Sequence, residues 1–223
     1  CAAADLTRLA ILTRRRQERF DINLFIDSLQ NHLGAEGTLI IPSFNFNLKN
    51  NDHYHPSRTL PITGALAVEA FKRNDFRRTS QPLHSFLVWG KYADKLLAQK
   101  NQSSFGKDSP FAFMLEHSAK MLLVDTTITA AFTFVHHVEE MEQVWYRYYK
   151  RINVFIEGSD GKTVRREDGK TVRREDGKTV RREDGRTVGK EVLLYAKKVG
   201  WTMQLDGLEK LLLEEKAAVK QYI

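Results

Sequence analysis

A short segment at residues 133–140, Thr-Phe-Val-His-His-Val-Glu-Glu, carries the residue types that proton transfer requires. Apolar residues continue at Met141 and Val144, a spacing that predicts a helix from about Thr133. His136 and Glu139 then share one face at positions i and i+3. A carboxylate placed there fixes the imidazole tautomer and stabilises the imidazolium, which is the arrangement of a general base. Many surface helices carry the same pair without a catalytic role, so spacing alone leaves both interpretations open.

Two other patterns are weaker candidates. Gly-Lys-Thr triplets begin at 161, 169 and 177, but a phosphate-binding loop needs a glycine five residues before its last glycine. Those positions hold Ile156, Val164 and Val172, so a nucleotide-triphosphate site is disfavoured. His53 and His55 have the spacing of a metal-binding pair, but the sequence offers no third ligand. We therefore predict no metal site and interpret this segment as a polar loop near a ligand pocket.

A tandem octapeptide occupies residues 160–191, with DGKTVRRE beginning at 160, 168 and 176 and DGRTVGKE at 184. Each unit contains one apolar residue, its valine, so the repeats cannot form a core of their own. The Asp-Gly pairs are turn signals. We predict an insertion of exposed hairpins or a flexible loop. Nucleic-acid binding is disfavoured, because acidic residues alternate with the basic ones and no aromatic residue is available for base stacking.

Length and composition indicate one globular domain over residues 1–223. The chain has 35 Lys and Arg against 28 Asp and Glu, and 42% of its residues are hydrophobic. Collagen-like and wholly disordered classes are therefore excluded. One cysteine cannot form an internal disulfide, so a cytoplasmic location is expected. No apolar stretch approaches the length of a membrane-spanning helix, and no membrane association is expected.

Helices and strands alternate along the rest of the chain. Helices are predicted over 21–34, over 63–73, from Ser109 and Pro110, and over the C-terminal apolar pattern at 208–219. Short apolar runs predict strands at 38–41, 86–89, 121–124 and 154–156. Residues 1–20 are basic and show no regular pattern. This alternation predicts an α/β domain.

Several segments, taken in order, resemble the aminoglycoside 3-N-acetyltransferase family, also called the antibiotic N-acetyltransferase family. They are GTLIIPSF at 37–44, RTSQPLHS at 78–85, SSFGKDSP at 103–110, TFVHHVEE at 133–140 and YRYYK at 146–150. The resemblance implies a mixed sheet flanked by helices. It also implies transfer of an acetyl group from acetyl-CoA, as co-substrate, to an amine of an aminoglycoside or other amino sugar, an activity that confers antibiotic resistance.

The resemblance also implies roles for individual residues. His136 would be the general base and Glu139 the acidic residue that orients it. The residues expected near the coenzyme are Ser80, Phe105, Gly106 and Ser109. The residues expected on the substrate side are His84 and Ser85, from the run that lines the active site, and Asp125 and Glu69, for which a structural role is equally open.

The sequence departs from the family pattern at three places. Members usually open with a strand and a His-Ser-Ser loop that grips the coenzyme's phosphates, and residues 1–20 contain nothing similar, so the N-terminal part is expected to be incomplete. A missing strand would expose a sheet edge and favour a homo-oligomer. Gln81 stands where the family usually has histidine, and the repeats replace a short β excursion. Two alternatives therefore stay open: a non-catalytic family member, and an interaction module that acts through the basic repeats.

Overall fold

Residues 1–157 and 187–198, which the computed structural model describes, form short strands interleaved with helices. The strands are β1 (Ala2–Ala4), β2 (Thr38–Pro42), β3 (His53–Tyr54), β4 (Arg77–Arg78), β5 (Phe86–Gly90), β6 (Leu122–Val124), β7 (Arg147–Glu157) and β8 (Thr187–Lys197). The helices are α1 (Thr7–Arg15), α2 (Ile22–Leu33), α3 (Ala65–Lys72), α4 (Ala93–Ala98), α5 (Pro110–Glu116), α6 (Ile128–Ala131) and α7 (Val135–Met141). Within these two ranges, no helix has both the length and the apolar character needed to cross a membrane.

The strands combine parallel and antiparallel pairs. β5 lies between β2 and β4 and is antiparallel to both. β1 is parallel to β6, and β7 is parallel to β3 and antiparallel to β8. Helices α2 and α3 pack on β2, and α4 packs on β5. The predicted α/β architecture, with mixed strand pairing and flanking helices, is confirmed.

The N-terminal residues contain a strand that the sequence pattern does not predict. β1 places Ala3 opposite Leu123 of β6 and also lies beside β2. Residues 1–20 therefore contain a short strand, β1, and a helix, α1, where no regular element was expected. Three consecutive alanines have a weak strand preference and no polar alternation, so this strand depends on its neighbours. A homo-oligomer stays a prediction, without the support of an edge exposed by a lost strand.

Local sequence signals set the helix ends that were predicted. The side chain of Asp21 accepts hydrogen bonds from the backbone N–H groups of Asn23 and Leu24, which caps α2. Gly34 ends the same helix with φ = 65°, a conformation that other residues adopt with strain. Ser109 caps α5 in the same way as Asp21 caps α2, and Pro110 occupies the first helical position.

The two faces of β2 pack into two separate apolar clusters. Leu39 and Ile41 lie on one face with residues of α2 and α3, including Ile26 and Leu66. Ile40 points to the opposite face, because side chains alternate along a strand. The cluster on that face consists largely of aromatic and other large side chains: Phe44, Phe86, Phe105, Phe111 and Met114. Two candidate site residues, His84 and His136, pack against this aromatic cluster.

The long hairpin of β7 and β8 contains the repeat insertion in its connection. Residues 187–191 of the last octapeptide belong to β8 and pair with residues 153–157, so the predicted strand at 154–156 is part of a longer one. The rest of the predicted insertion, and the predicted helix at 208–219, lie outside the described residues. Val154 and Val192 anchor the hairpin to Tyr54 and Leu83 in a small buried cluster.

Removal of residues 160–183, the first three octapeptides, is expected to preserve the fold. The shortened connection would consist of residues 158–159 and 184–186, whose Asp-Gly pair favours a hairpin turn. Shortening the loop about sixfold lowers its closure cost by about 1.6 kcal/mol, so the thermal midpoint followed by circular dichroism should stay constant or rise.

A matched control removes residues 160–191, and with them the part of β8 that pairs with residues 153–157. This longer deletion is expected to lower the thermal midpoint. If the shorter deletion lowered it equally, the first three repeats would be part of the folded core, against the prediction.

Candidate active site

The predicted pair of His136 and Glu139 is formed in the structure. Both residues lie on α7, and Nδ1 of His136 is 2.7 Å from Oε2 of Glu139. The side chain of His136 is 25% exposed, whereas that of Glu139 is 5% exposed. The imidazole can therefore meet a ligand, while its carboxylate partner is shielded from water. Shielding strengthens the pair, because the interaction of charges increases as the local dielectric constant falls.

α7 buries a polar face. His137, Glu139 and Glu140 are buried, whereas Val138 and Met141 are 46% and 43% exposed. Each buried polar side chain has a partner: Nδ1–H of His137 donates to the carbonyl of Phe105 at 2.6 Å, and Ser103 donates to Glu140 at 2.7 Å. The helix is therefore positioned by hydrogen bonds rather than by an apolar stripe, which favours precise placement of His136.

Arg147, at the start of β7, completes the cluster. Its Nε lies 2.7 Å from Oε2 of Glu139, and its Nη2 lies 2.9 Å from Nδ1 of His136. Its Nη1 donates to the carbonyl of Tyr195 on β8 at 2.9 Å. Tyr146 donates its hydroxyl to Oε1 of Glu139 at 2.9 Å. No role was predicted for Arg147 or Tyr146, and their presence in the YRYYK segment was the only signal that pointed to them.

Glu139 and Arg147 act on His136 in opposite directions. Burial lowers the pKa of His136 below its ordinary value, the positive charge of Arg147 lowers it further, and the hydrogen bond and charge of Glu139 oppose both. A lowered pKa keeps the ring neutral at pH 7. Arginine can only donate, so its contact at 2.9 Å favours a bare Nδ1. The carboxylate lies closer, at 2.7 Å, and favours a protonated Nδ1 with a free lone pair on Nε2, so we assign the proton to Nδ1.

The aromatic ring of Phe105 contacts the rings of two histidines, His136 and His84. The ring of Phe105, which is 2% exposed, lies 5.3 Å from that of His136 and 4.6 Å from that of His84. Phe44 contacts the other side of His84 at 4.9 Å. The structure therefore brings together His136, Glu139, His84 and Phe105 among the residues that the sequence predicts.

Other predicted site residues have partners within the fold. The hydroxyl of Ser109 caps α5, and that of Ser80 donates to the carbonyl of Gln99 at 3.1 Å. Gly106 lies against Glu140, and a Cβ there would come within 3.3 Å of Oε1 of Glu140. Gly106 therefore permits close packing of its loop on α7. The roles of these three residues toward a coenzyme stay predictions.

The residues predicted for the substrate side lie in separate surroundings. Ser85 is buried, donates to the carbonyl of Ser43 at 2.7 Å and accepts from Arg78 at 2.9 Å. Glu69 on α3 accepts hydrogen bonds from Asn23 and Lys72, both at 2.9 Å. Asp125 forms an ion pair with Arg8 at 3.3 Å. No contact with His136 is formed by these three in the part of the chain that the structure describes, and their substrate roles stay predictions.

Comparison with known proteins shows which family has this sequence pattern. The sequence profile described as aminoglycoside 3-N-acetyltransferase matches residues 16–221, nearly the whole chain. The chain belongs to this family. It is accordingly an N-acetyltransferase, and the family is that of aminoglycoside antibiotic resistance. No curated protein matches the sequence.

Solved structures with the same fold include three with very different sequences. AAC-IIIb, in a binary complex with CoASH, is 17% identical with a TM-score of 0.66, and the match covers 87% of this chain and 72% of that one. AAC-VIa bound to sisomicin is 15% identical with a TM-score of 0.67, covering 98% and 80%. YokD from Bacillus subtilis is 14% identical with a TM-score of 0.65, covering 97% and 79%. These similarities confirm the acetyltransferase fold.

A cavity of about 690 Å³ in this acetyltransferase lies beside the start of α3, and Asp5 is among its lining residues. Its lining combines apolar side chains with threonine hydroxyls and with the first turn of α3, residues 65–67. No side chain of the described residues caps α3, so its first backbone N–H groups can receive a phosphate. The first turn of α1 is different, because the carboxylate of Asp5 accepts from the N–H of Thr7 there. The uncapped start of α3 fits one phosphate of the coenzyme, and binding of the coenzyme there stays a prediction.

The histidine pair at 53 and 55 shows no metal-binding arrangement. His53 lies against the ring of Phe155, and Nδ1 of His55 contacts Ser57 at 3.1 Å. Within residues 1–157 and 187–198, no group of three or more His, Cys, Asp or Glu side chains is placed to hold a metal ion.

Replacement of Arg147 by methionine is expected to raise the pKa of His136, because a positive charge that lowers it is lost while Glu139 remains. The matched change Glu139→Gln is expected to lower it, because the one partner that raises it is lost. Titration of the histidine Cε1–H signals by NMR measures both. A fall in the pKa of His136 in the Arg147→Met variant would contradict the conclusion that Arg147 lowers this pKa against the effect of Glu139.

Proposed function

We propose that this chain transfers the acetyl group of acetyl-CoA to an amino group of an aminoglycoside or other amino sugar, with His136 as the general base. The observation that carries the proposal is the contact of 2.7 Å between Nδ1 of His136 and the shielded carboxylate of Glu139. It leaves Nε2 as the ring atom that can take a proton. The partial exposure of His136 allows an acceptor amine to reach that atom.

An amino sugar arrives largely as an ammonium ion, which has no lone pair to attack with. Nε2 of His136 would take a proton from this group, and the Nδ1–H would meanwhile donate to Glu139 and stabilise the imidazolium. Acetyl-CoA, when bound, supplies a thioester carbonyl as the electrophile. The freed amine forms the new C–N bond and the C–S bond breaks. The imidazolium of His136 returns its proton to the departing sulfur, so the coenzyme leaves as its thiol, and the neutral ring then accepts the second nitrogen proton for release to water. Direct transfer needs no protein nucleophile.

Glu139 is kept ready for this role by its other contacts. Tyr146 holds Oε1, and Arg147 neutralises the charge of the carboxylate. Because both oxygens of the carboxylate are engaged by these partners, it orients His136 rather than competing for the proton of the substrate. Arg147 is thus a positioning residue in this proposal.

The first turn of α3 would hold the phosphates of the coenzyme. The cavity that α3 lines also contains Phe44 and Thr133, residues that lead toward the ring of His84 and the start of α7. The CoASH complex of AAC-IIIb, which shares the fold, supports acetyl-CoA as co-substrate. The sisomicin complex of AAC-VIa supports a small-molecule amino sugar as acceptor.

The His136→Ala variant is expected to lose acetyl transfer by about 10²–10⁴-fold, because the proposed general base is removed. Release of free thiol from acetyl-CoA, followed with a chromogenic disulfide, measures the rate over a panel of acceptors. That panel contains sisomicin, apramycin, gentamicin and a monoamine sugar nucleotide. Acetyl-CoA affinity in calorimetry should be unchanged, because His136 lies outside the phosphate-binding turn.

The exposed His32 of α2 provides the control, and His32→Ala should retain wild-type turnover. A folded wild-type chain that binds acetyl-CoA and acetylates none of these amines would contradict the proposed acceptor class. A folded chain that binds no acetyl-CoA would instead favour the non-catalytic alternative.

The pH dependence of kcat/KM should show an acid limb below pH 6.5. The base must be neutral, and the pKa of His136 is lowered, so the active form persists below the ordinary pKa of histidine and is lost as the pH falls further. The limb should move to higher pH in Arg147→Met and to lower pH in Glu139→Gln. A limb that followed the pKa of each acceptor amine and ignored both variants would contradict the assignment of His136.

A further inference from the structure

His84 lies at the end of a buried hydrogen-bond chain that begins with its own backbone. Its N–H donates to Oε1 of Gln81 at 2.7 Å. Because a backbone N–H can only donate, the atom that it meets must be the amide oxygen of Gln81. The amide nitrogen of Gln81 therefore points the other way, toward Ser104. Gln81 and Ser104 are both completely buried, so no water competes for these contacts.

The hydroxyl of Ser104 connects the amide of Gln81 to the imidazole of His84. Nε2 of Gln81 donates to Oγ of Ser104 at 2.9 Å, and Oγ lies 3.0 Å from Nδ1 of His84. The oxygen accepts from Gln81, and its contacts among the described residues offer no acceptor for its single proton other than Nδ1, so we assign that proton to Nδ1. Nδ1 is then an acceptor, and the neutral ring carries its proton on Nε2.

The surroundings of His84 keep this ring neutral. Its ring lies between Phe44 and Phe105, and the residue is 6% exposed. Burial lowers its pKa to about 3, with a smaller contribution from His136. The Nε2–H has no hydrogen-bond partner among the described residues. This N–H is a fixed, uncharged donor. The ring of Phe105, which contacts His84, also contacts His136.

We propose that Nε2–H of His84 donates a hydrogen bond to the carbonyl oxygen of the acetyl thioester as negative charge develops there. This inference rests on the proposed function. As the amine nitrogen forms the C–N bond, the carbonyl π electrons move to oxygen. They return when the C–S bond breaks and the thiolate leaves with the sulfur electrons. His84 keeps its proton throughout. Nε2 of His136, which took the first proton of the ammonium group, returns it to the thiolate sulfur and then accepts the second nitrogen proton.

A role as a second base does not fit His84. Its Nε2 carries a proton and has no lone pair to accept another, and Nδ1 is occupied by Ser104. A neutral imidazole donor is suited to a developing oxyanion, because it needs no reorganisation when the charge appears. The two histidines thus have opposite tautomers, which follow from a carboxylate beside one Nδ1 and a hydroxyl donor beside the other.

The tautomer can be measured without any substrate. Long-range ¹H–¹⁵N NMR spectra of the ¹⁵N-labelled chain distinguish the two ring nitrogens of a neutral histidine. Between pH 5 and 8, His84 should show the Nε2–H form, and the Ser104→Ala variant should shift it toward Nδ1–H. A cationic His84 at pH 7, or an Nδ1–H form in the wild-type chain, would overturn the proposal.

Two variants of similar size separate hydrogen bonding from packing. His84→Met removes the donor, and His84→Gln keeps an N–H near the same place. Loss of one oxyanion donor typically lowers kcat by about 10²–10³-fold, so His84→Met should show that loss and His84→Gln should recover at least about tenfold. Thermal unfolding verifies that both variants are folded.

A wild-type kcat in His84→Met, or an equal loss of kcat in the folded His84→Met and His84→Gln variants, would overturn the proposed role of His84 without affecting the proposed function. Failure of the proposed function is distinguishable from this, because it appears in the wild-type arm as the absence of acetyl transfer to any acceptor. In that case the tautomer measured by NMR still reports whether the buried chain is formed.

Discussion

One partly buried guanidinium, that of Arg78, holds together the segments that lead to the site. Arg78 lies between the rings of Tyr54 and Phe71, each 5.2 Å away, and no carboxylate of the described residues pairs with it. Its charge is compensated by oxygen acceptors instead, which are the carbonyls of Ser43 and Thr59, the amide oxygen of Asn45 and the hydroxyl of Ser85. Burial of a charge is tolerated only when such partners are in place. Arg78 therefore fixes the end of β2, the loop after it and the start of β5, and His84 is the residue immediately before Ser85.

The structure gives different chemical roles to two identical side chains, those of His136 and His84. An imidazole has no intrinsic role as base or donor, since its role depends on which nitrogen is engaged and by what. Glu139 can only accept, so it draws a proton to Nδ1 of His136. Ser104 accepts from Gln81 and, in our assignment, donates its own proton to Nδ1 of His84, which leaves that nitrogen bare. The partner atoms thus determine the function of each ring.

Sequence reasoning found the parts of the site that are local and missed those that are not. His136 and Glu139 lie three positions apart on one helix, and helical geometry alone brings them together. The contact of Arg147 with both residues depends on the turn after α7 and on the carbonyl of Tyr195, which comes from a strand about 50 residues later. Gln81 looked like a departure from the family pattern. Its buried contacts show that an amide supplies one acceptor and one donor, the same pair that a neutral histidine offers. The short strand β1 was missed for a related reason, because alanine gains its strand from neighbours rather than from its own preference.

The position of the repeats explains how a family member can carry them without disturbing its site. Arg147 pairs with Lys197 at one end of the β7–β8 hairpin, whereas the connection that contains the repeats begins after Glu157, which pairs with Thr187 at the other end. At about 3.4 Å per residue, ten residue steps of antiparallel strand separate these ends by about 34 Å. A change in loop length at the far end alters the closure entropy of the hairpin but not the register near Arg147, because Val192 and Tyr195 are buried between the two. Insertion of whole octapeptides into this connection is therefore not expected to alter the position of Arg147 or of His136, which it contacts.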